Sequence, residues 1–446
     1  MLWHPLAAVA EDANEDLIKL VVGLLTEDDR AMRALGFEQV RSAAPGGTAT
    51  ERFAAELPNL PAEAQVGLLS ALATRGDGAA RPAVVALLEG TEDDAVRVAA
   101  IEALGPLGRA DDAKPLTRLL GDGSAAEQKA ATTSLIQLTD DGAVAAILAE
   151  LKAAPPTTQV KLIDVLLARR SKDAVPELLT AAVAEDARVR AAAMNALGQL
   201  ADGEHVAGMV QGVLKAEPGR EQADAEKCLM FVCARIEDPA QQAAPLLAAM
   251  EELSETDRRT MLSALGRVGG PGALKMVEEA ISSDDSQLHS LGIKAISNWP
   301  DASIAPRLLE LAKTDEHEGH RITALRALMR VAPLPDDRTD AERLELLKTA
   351  MSISERDAEK ILALDRARAI RTPESLRFVL PYVDQSPYAE QACLSIVELA
   401  HHRGLREPNK EEFHKALDKV IETSQDATVI DRAKRYKKDE TWVRPG

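Results

Sequence analysis

The sequence has 446 residues, 46% of them hydrophobic but only 2% aromatic, with 53 basic against 72 acidic side chains and a formal net charge of −19. A single core stops growing near roughly 250–300 residues, so a chain of this length is either several domains or an array whose units touch only their neighbours. The dearth of rings favours the array, with small side chains packed closely. The acidity argues against a sequence-independent grip on nucleic acid, and no apolar run reaches the ~18 residues of a membrane-spanning helix.

Residues 1–27 read as an N-terminal helix or cap. Leu2 to Ala10, ending Ala7-Ala8-Val9-Ala10 before Glu11-Asp12, has the small-residue close of a secretory leader without its basic start or its apolar length. Two readings stand, an ordinary first helix and the remnant of a leader that begins upstream. The first implies a cytoplasmic protein and the second an exported one.

From residue 28 to 424 the chain repeats. Val96-Arg97-Val98-Ala99-Ala100-Ile101-Glu102-Ala103-Leu104-Gly105 returns 93 residues later as Val189-Arg190-Ala191-Ala192-Ala193-Met194-Asn195-Ala196-Leu197-Gly198, three periods of 31. With the leucine as anchor, the equivalent positions are Leu35, Leu72, Leu104, Leu135, Leu166, Leu197, Cys233, Leu265, Ile296, Leu328, Leu364 and Val397, in steps of 31 to 37. Three residues before the anchors, eleven of the twelve positions are apolar, as a buried helical stripe requires. Seven before, all twelve are polar, so that end of the helix emerges into water or into a polar ladder.

Each anchor helix is followed by a second amphipathic helix, as in Asp111 to Leu120, Asp173 to Val183, Pro271 to Ile281 and Pro373 to Val383. Gly105, Gly198 and Gly266 after the anchor let a neighbouring helix come close. Asp238-Pro239 and Thr372-Pro373 set a capping oxygen before a first-turn proline. The long steps place extra loop near Glu217 to Gln222 and near Pro333 to Asp340. Residues 425–446 read as a terminal cap with a solvated basic tail (Arg432, Lys434, Arg435, Lys437, Lys438). No segment alternates as a strand would.

Asp93 to Gly108, reading Asp-x-x-Val-Arg-x-x-Ala-x-x-Ala-Leu-Gly-x-Leu-Gly, resembles the short HEAT-like repeat first associated with phycobilisome lyases, and Asp186 to Gly198 is a second match. The resemblance implies an all-α fold, a right-handed α-solenoid of about 12 HEAT-like hairpins. Tetratricopeptide arrays need recurring rings and ankyrin arrays need Thr-Pro-Leu-His; neither occurs. Leu344 to Lys348, Asp357 to Ala367, Arg371 to Ser375 and Leu380 to Asp384 are similar to HEAT modules of exported planctomycete-type bacterial proteins, which implies an exported protein in a carbohydrate-processing setting.

Catalytic signatures are missing: no Gly-x-Ser-x-Gly, phosphate-binding loop, His-Glu-x-x-His or Cys-x-x-Cys. HEAT-repeat hydroxylases that bind two irons use several His-Glu pairs, and only His317-Glu318 occurs here. Cys228, Cys233 and Cys393 read as small core residues. Asp315-Glu316-His317-Glu318-Gly319-His320 is the densest ligand-like cluster. His317 and His320 with a carboxylate offer a metal site, and the alternative is a polar loop leading into the next helix. Arg97, Arg190, Arg258 and Arg321 open their anchor helices and read as a structural ladder, with Asp94 and Asp186 as partners implied by the repeat resemblance.

The expected function is therefore a non-catalytic scaffold or adaptor without a cofactor. It would bind a protein partner with basic patches on the concave face lined by the second helices, through Lys114, Arg118, Glu150, Glu177, Lys275, Glu278, Arg307 and Glu310. The alternatives are a phycobilin-lyase-like accessory factor, which the three scattered tryptophans do not favour, and a nucleic-acid-binding HEAT-like protein, which the charge opposes.

Overall fold

The computed structural model describes residues 4–443 and contains helices and turns, with no strand among the described residues. Residues 1–3, and the side chains up to residue 14, lie outside what it describes, so the leader-like opening is covered only as backbone of the helix His4–Thr26. The chain forms two compact units, Met1–Val232 and Cys233–Gly446.

In the first unit the anchor helices pack on one another in sequence order. Ala62–Arg75 lies against Asp94–Leu107, which lies against Ala125–Gln137, and Pro156–Ala168 lies against Ala187–Leu200. Local chemistry starts each one. Asp93 accepts from the Ala95 and Val96 amides at 2.9 and 3.0 Å, Asp186 caps Arg188 and Val189, and Ser124 with Glu127 forms a capping box. Second helices begin at a proline in the first turn, as in Arg81–Gly90 and Val175–Ala181. Leu72, Leu104, Leu135, Leu166 and Leu197 are all buried between these layers.

Two anchors are shifted from the sequence register. Leu35 is 47% exposed and Met32 43%, whereas Val40 of the same helix, Arg30–Ser42, is fully buried. Val40 to Leu72 is an ordinary step of 32, so the apparent 37-residue step disappears. Likewise Leu229, fully buried, takes the place read for Cys233. A Cβ on Gly198 would come 3.2 Å from the Cα of Cys228, just before Leu229, as one on Gly105 would come 3.3 Å from the Cα of Ser134, just before Leu135. The extra residues therefore follow Leu229 rather than filling Glu217 to Gln222, where the helix Arg220–Cys233 already begins.

The second unit repeats the plan. Glu255–Val268 packs on Ser286–Ser297, that on Glu318–Val331, and that on Asp357–Ala367. Leu265, Ile296, Leu328, Leu364 and Val397 are buried, and Cys233 and Cys393 are buried as small core residues. The loop before Asp340–Ser352 is tied by Arg338 and Arg343 to Asp336 and ends in a Thr339–Glu342 capping box. The basic tail is not a free solvated cluster. Arg432 is buried, bonds Glu398 Oε1 at 2.6 Å and lies over the Tyr436 and Trp442 rings, while Arg435 pairs with Asp431 and Lys437 with Asp418.

Candidate functional site

The polar position seven residues before the anchor has one recurring task. At nine of these positions the side chain donates to a carbonyl at the end of the preceding helix or turn, one of the acceptors that a helix terminus leaves without an internal partner, whereas Asp357 and Glu390 accept instead, from Tyr388 and from Ser424 and Gln425. In the first unit the rungs are Arg33 to Glu27 O, Gln65 to Leu57 O, Arg97 to Leu88 O, Gln128 to Gly123 O, Gln159 to Leu151 O and Arg190 to Ala184 O. In the second they are Arg258 to Met250 O, His289 to Ile281 O and Arg321 to Asp315 O. Arg33 stands seven before Val40, which supports the shifted register.

Asp94 and Asp186 are not the partners of this ladder. Asp186 caps its own helix and pairs with Arg188 at 2.7 Å. The carboxylates that meet the ladder come from the next repeat instead: Arg97 Nη2 lies 2.8 Å from Glu127 and Arg190 Nε 2.7 Å from Glu221. Bonds from the Ser124 amide and from Arg97 hold the Glu127 carboxyl below its ordinary range, and Arg190 does so for Glu221. A second set of arginines escapes the sequence reading. Arg75 donates to Val40, Ala43 and Ala44 carbonyls, Arg169 to those of Leu135, Ile136 and Leu138, and Arg330 to those of Ser297 and Trp299. Burial pulls all three guanidinium groups below their usual range.

The residues read as partner-binding divide into two groups. Arg307 forks onto Glu278 with two bonds of 2.9 Å and Glu177 pairs with Lys152, so these pairs tie successive second helices together, while Glu310 meets Arg307 within its own helix. Lys114, Arg118 and Glu150 border a shallow depression of about 170 Å³ between Ala113–Asp122 and Ala143–Ala153. Lys275 is exposed on Pro271–Ile281.

The His317 and His320 cluster gains a third ring. Asp315, His317 and His320 meet His289, a ladder residue of the preceding anchor helix, and one ligand atom from each of the four lies within 4.8 Å of the others. The ring centroids of His289 and His320 are 5.0 Å apart and those of His317 and His320 4.9 Å. The Asp315 side chain is 2% exposed at the centre, with His289 Nε2 at 3.0 Å, His320 Nδ1 at 3.2 Å and His317 Nδ1 at 3.7 Å. Burial pushes the Asp315 carboxyl up, but the His317 amide and the surrounding histidines outweigh it, and the group sits below its ordinary value. His317 faces solvent, its side chain 61% exposed.

A larger opening lies in the first unit. Ala187–Leu200 and Arg220–Cys233 flank a cleft of about 610 Å³, with Ala187, Ala191 and Met194 on one wall and Asp224, Cys228 and Phe231 on the other. The spacing on each wall is that of one helical face. Gly212 and Ala216 also line the cleft, and Phe231 is 53% exposed at it.

Residues 51–136 and 144–230 match the family model of HEAT repeats. No curated protein matches the sequence. Among solved structures, the chain is similar to a Kap121p mutant at 13% identity and a TM-score of 0.48, over 97% of this chain and 55% of that one. It thus spans about half the length of that relative. It is similar to Kap95p bound to RanGDP at 11% identity and a TM-score of 0.44, over 96% of this chain and 66% of that one. The CpcE–CpcF phycocyanin lyase complex of Nostoc sp. PCC7120 aligns at 18% identity and a TM-score of 0.24, over 70% of this chain and 94% of the other. With its helical hairpins and buried anchor leucines, the chain carries HEAT repeats over residues 51–136 and 144–230, where the family model matches.

Proposed function

We propose that the chain is a non-catalytic scaffold that binds another protein, and that the cleft at Phe231 receives an amphipathic helix of that partner. The observation that carries this is the cleft itself. Its two walls are helical faces that carry apolar side chains, among them Ala191, Met194, Cys228 and Phe231, and the shape that fills such a trough is a third helix with anchors spaced three and four apart. A half-exposed ring is costly to leave in water, and buried aromatic anchors dominate interface energies. Arg188, Arg220, Lys227 and Asp224 rim the apolar floor with charge, as interface rims are built. Lys114, Arg118 and Glu150 are proposed as a second, polar contact. The net charge of −19 favours a partner with basic patches, held more weakly as salt rises.

The test is capture of partners by the full chain at low ionic strength, repeated with Phe231→Asp. A partner retained by the wild type and reduced at least ~10-fold by Phe231→Asp, with the helical spectrum and melting point unchanged, supports the reading. No partner at all, or one retained equally by both proteins, contradicts it.

A further inference from the structure

We propose that His289, Asp315, His317 and His320 form a divalent metal site, of the kind that takes zinc, which clips two successive repeats of the second unit together. The four come from three places in the fold: His289 from Ser286–Ser297, Asp315 from the end of Ala305–Thr314, and His317 with His320 from the start of Glu318–Val331.

The hydrogen bonds around the rings fix where their protons sit. His289 Nδ1 lies 2.5 Å from the Ile281 carbonyl oxygen. A carbonyl can only accept, so Nδ1 carries a hydrogen, and in the neutral ring the Nε2 lone pair is turned to Asp315 Oδ2 at 3.0 Å. His320 is held from the other side. The Ser290 hydroxyl donates to Ser286 O at 2.8 Å, so its oxygen accepts from His320 Nε2 at 3.1 Å, leaving the Nδ1 lone pair 3.2 Å from Asp315 Oδ1. As neutral rings, both imidazoles thus turn lone pairs toward one buried carboxylate, and the three groups come together favourably only when positive charge, from protons or from a metal ion, lies between them.

Protons could supply that charge only by making cations of two rings whose centroids are 5.0 Å apart. One divalent ion supplies it at a single point and satisfies every acceptor. The spacing suits such an ion: four donors at about 2.0–2.1 Å in a tetrahedron stand roughly 3.3–3.4 Å from each other; here His320 and His317 Nδ1 lie 3.2 and 3.7 Å from Asp315 Oδ1 and His289 Nε2 lies 3.0 Å from Oδ2, with one ligand atom of each group within 4.8 Å of the others. A majority of imidazole donors selects zinc and its neighbours over magnesium or calcium. The Ile281 carbonyl and the Ser290 hydroxyl are the outer partners that orient ligating histidines in metal sites. With four protein donors the ion is fully coordinated, so its task is structural and not catalytic.

The ladder itself provides a clean variant. Glutamine already occupies the same position at Gln65, Gln128 and Gln159 and caps the preceding carbonyl there. His289→Gln therefore keeps the capping bond and removes only the metal donor. The full chain, stripped with EDTA, is titrated with Zn²⁺ by calorimetry and with Co²⁺ by visible absorption. The wild type is expected to take one equivalent of either, with the intense bands of tetrahedral Co²⁺, and to melt higher with Zn²⁺ than with EDTA. His289→Gln should melt like the wild type in EDTA yet lose at least ~100-fold in Zn²⁺ affinity, and Ser290→Ala should lose about 10–100-fold. His317→Ala, on an exposed side chain, should weaken binding without touching the fold and serves if His289→Gln misfolds. A wild type that binds no stoichiometric Zn²⁺, or variants that bind it as tightly, would overturn the site.

Discussion

Arg190 grips Glu221 of the next repeat through two parallel bonds, Nε to Oε1 at 2.7 Å and Nη2 to Oε2 at 3.0 Å, while its Nη1 donates to the Ala184 and Glu185 carbonyls of the preceding turn. One side chain thus joins three consecutive segments, and it is 4% exposed. Arg190→Ala strands a carboxylate and two carbonyls, and is expected to cost about 2–4 kcal/mol in urea unfolding. Arg190→Gln, which can still reach a carbonyl, should cost roughly half as much. An Arg190→Ala loss under ~0.5 kcal/mol would show the ladder to be ornamental.

Acid should loosen the same seams. Glu127 and Glu221 both titrate below the ordinary glutamate range in the folded chain, the first through the Ser124 amide and Arg97, the second through Arg190. A depressed carboxyl adds stability that is fully present above its unfolded value, near ~4.3, and is lost as pH falls through the lower folded value. The melting point should therefore be indifferent to these groups above about pH 5 and drop below about pH 4. Glu127→Gln and Glu221→Gln should each flatten that drop. Equal acid sensitivity in variants and wild type would refute the assignment.

Close helix approach makes one glycine irreplaceable. At Gly266 the Ala295 carbonyl oxygen occupies the space a Cβ would take, whereas Gly23, inside His4–Thr26, has nothing within 4 Å. Gly266→Ala is expected to cost about 3 kcal/mol or leave the second unit insoluble. Gly23→Ala should raise stability by up to about 1 kcal/mol through helix propensity. Thermal melts of the two variants decide the matter, and equal shifts would contradict the packing.

The two buried thiols, Cys233 and Cys393, should be inert, while Cys228 at the cleft is the one open to reagent. Burial pushes Cys233 up to about 11 and Cys393 up to about 12, and thiolate is the reactive form. Ellman's reagent at neutral pH should leave both unmodified in the folded chain and titrate them after denaturation. Rapid native reaction at either would place it at the surface.

Where the sequence could be read and where it could not follows from what each residue touches. The 31-residue return exposed the hairpins because Leu104 and Leu197 fill equivalent buried positions, 1% and 0% exposed. It misplaced the first anchor because Met32 and Leu35 have the right spacing on a face that is 43% and 47% exposed at these two side chains. The missing signal was Arg33, whose bond to Glu27 O identifies Val40. His317 and His320 were visible as chain neighbours. His289 was hidden by distance and by its service as a ladder residue, where it looks like one more polar cap. Arg75, Arg169 and Arg330 bind backbone oxygens, which leave no trace in side-chain patterns. Phe231 reads as an ordinary apolar position until the cleft beside it shows the ring half exposed.

The repeat register rests on which apolar residue of each anchor helix is buried, and one helix tests it most directly. Val40→Ala and Leu35→Ala are compared by urea unfolding of the full chain. Val40→Ala should cost about 2 kcal/mol, as loss of buried methyl groups does, and Leu35→Ala no more than ~0.5 kcal/mol, as an exposed change does. A larger loss at Leu35 than at Val40 would contradict the register and the stacking built on it.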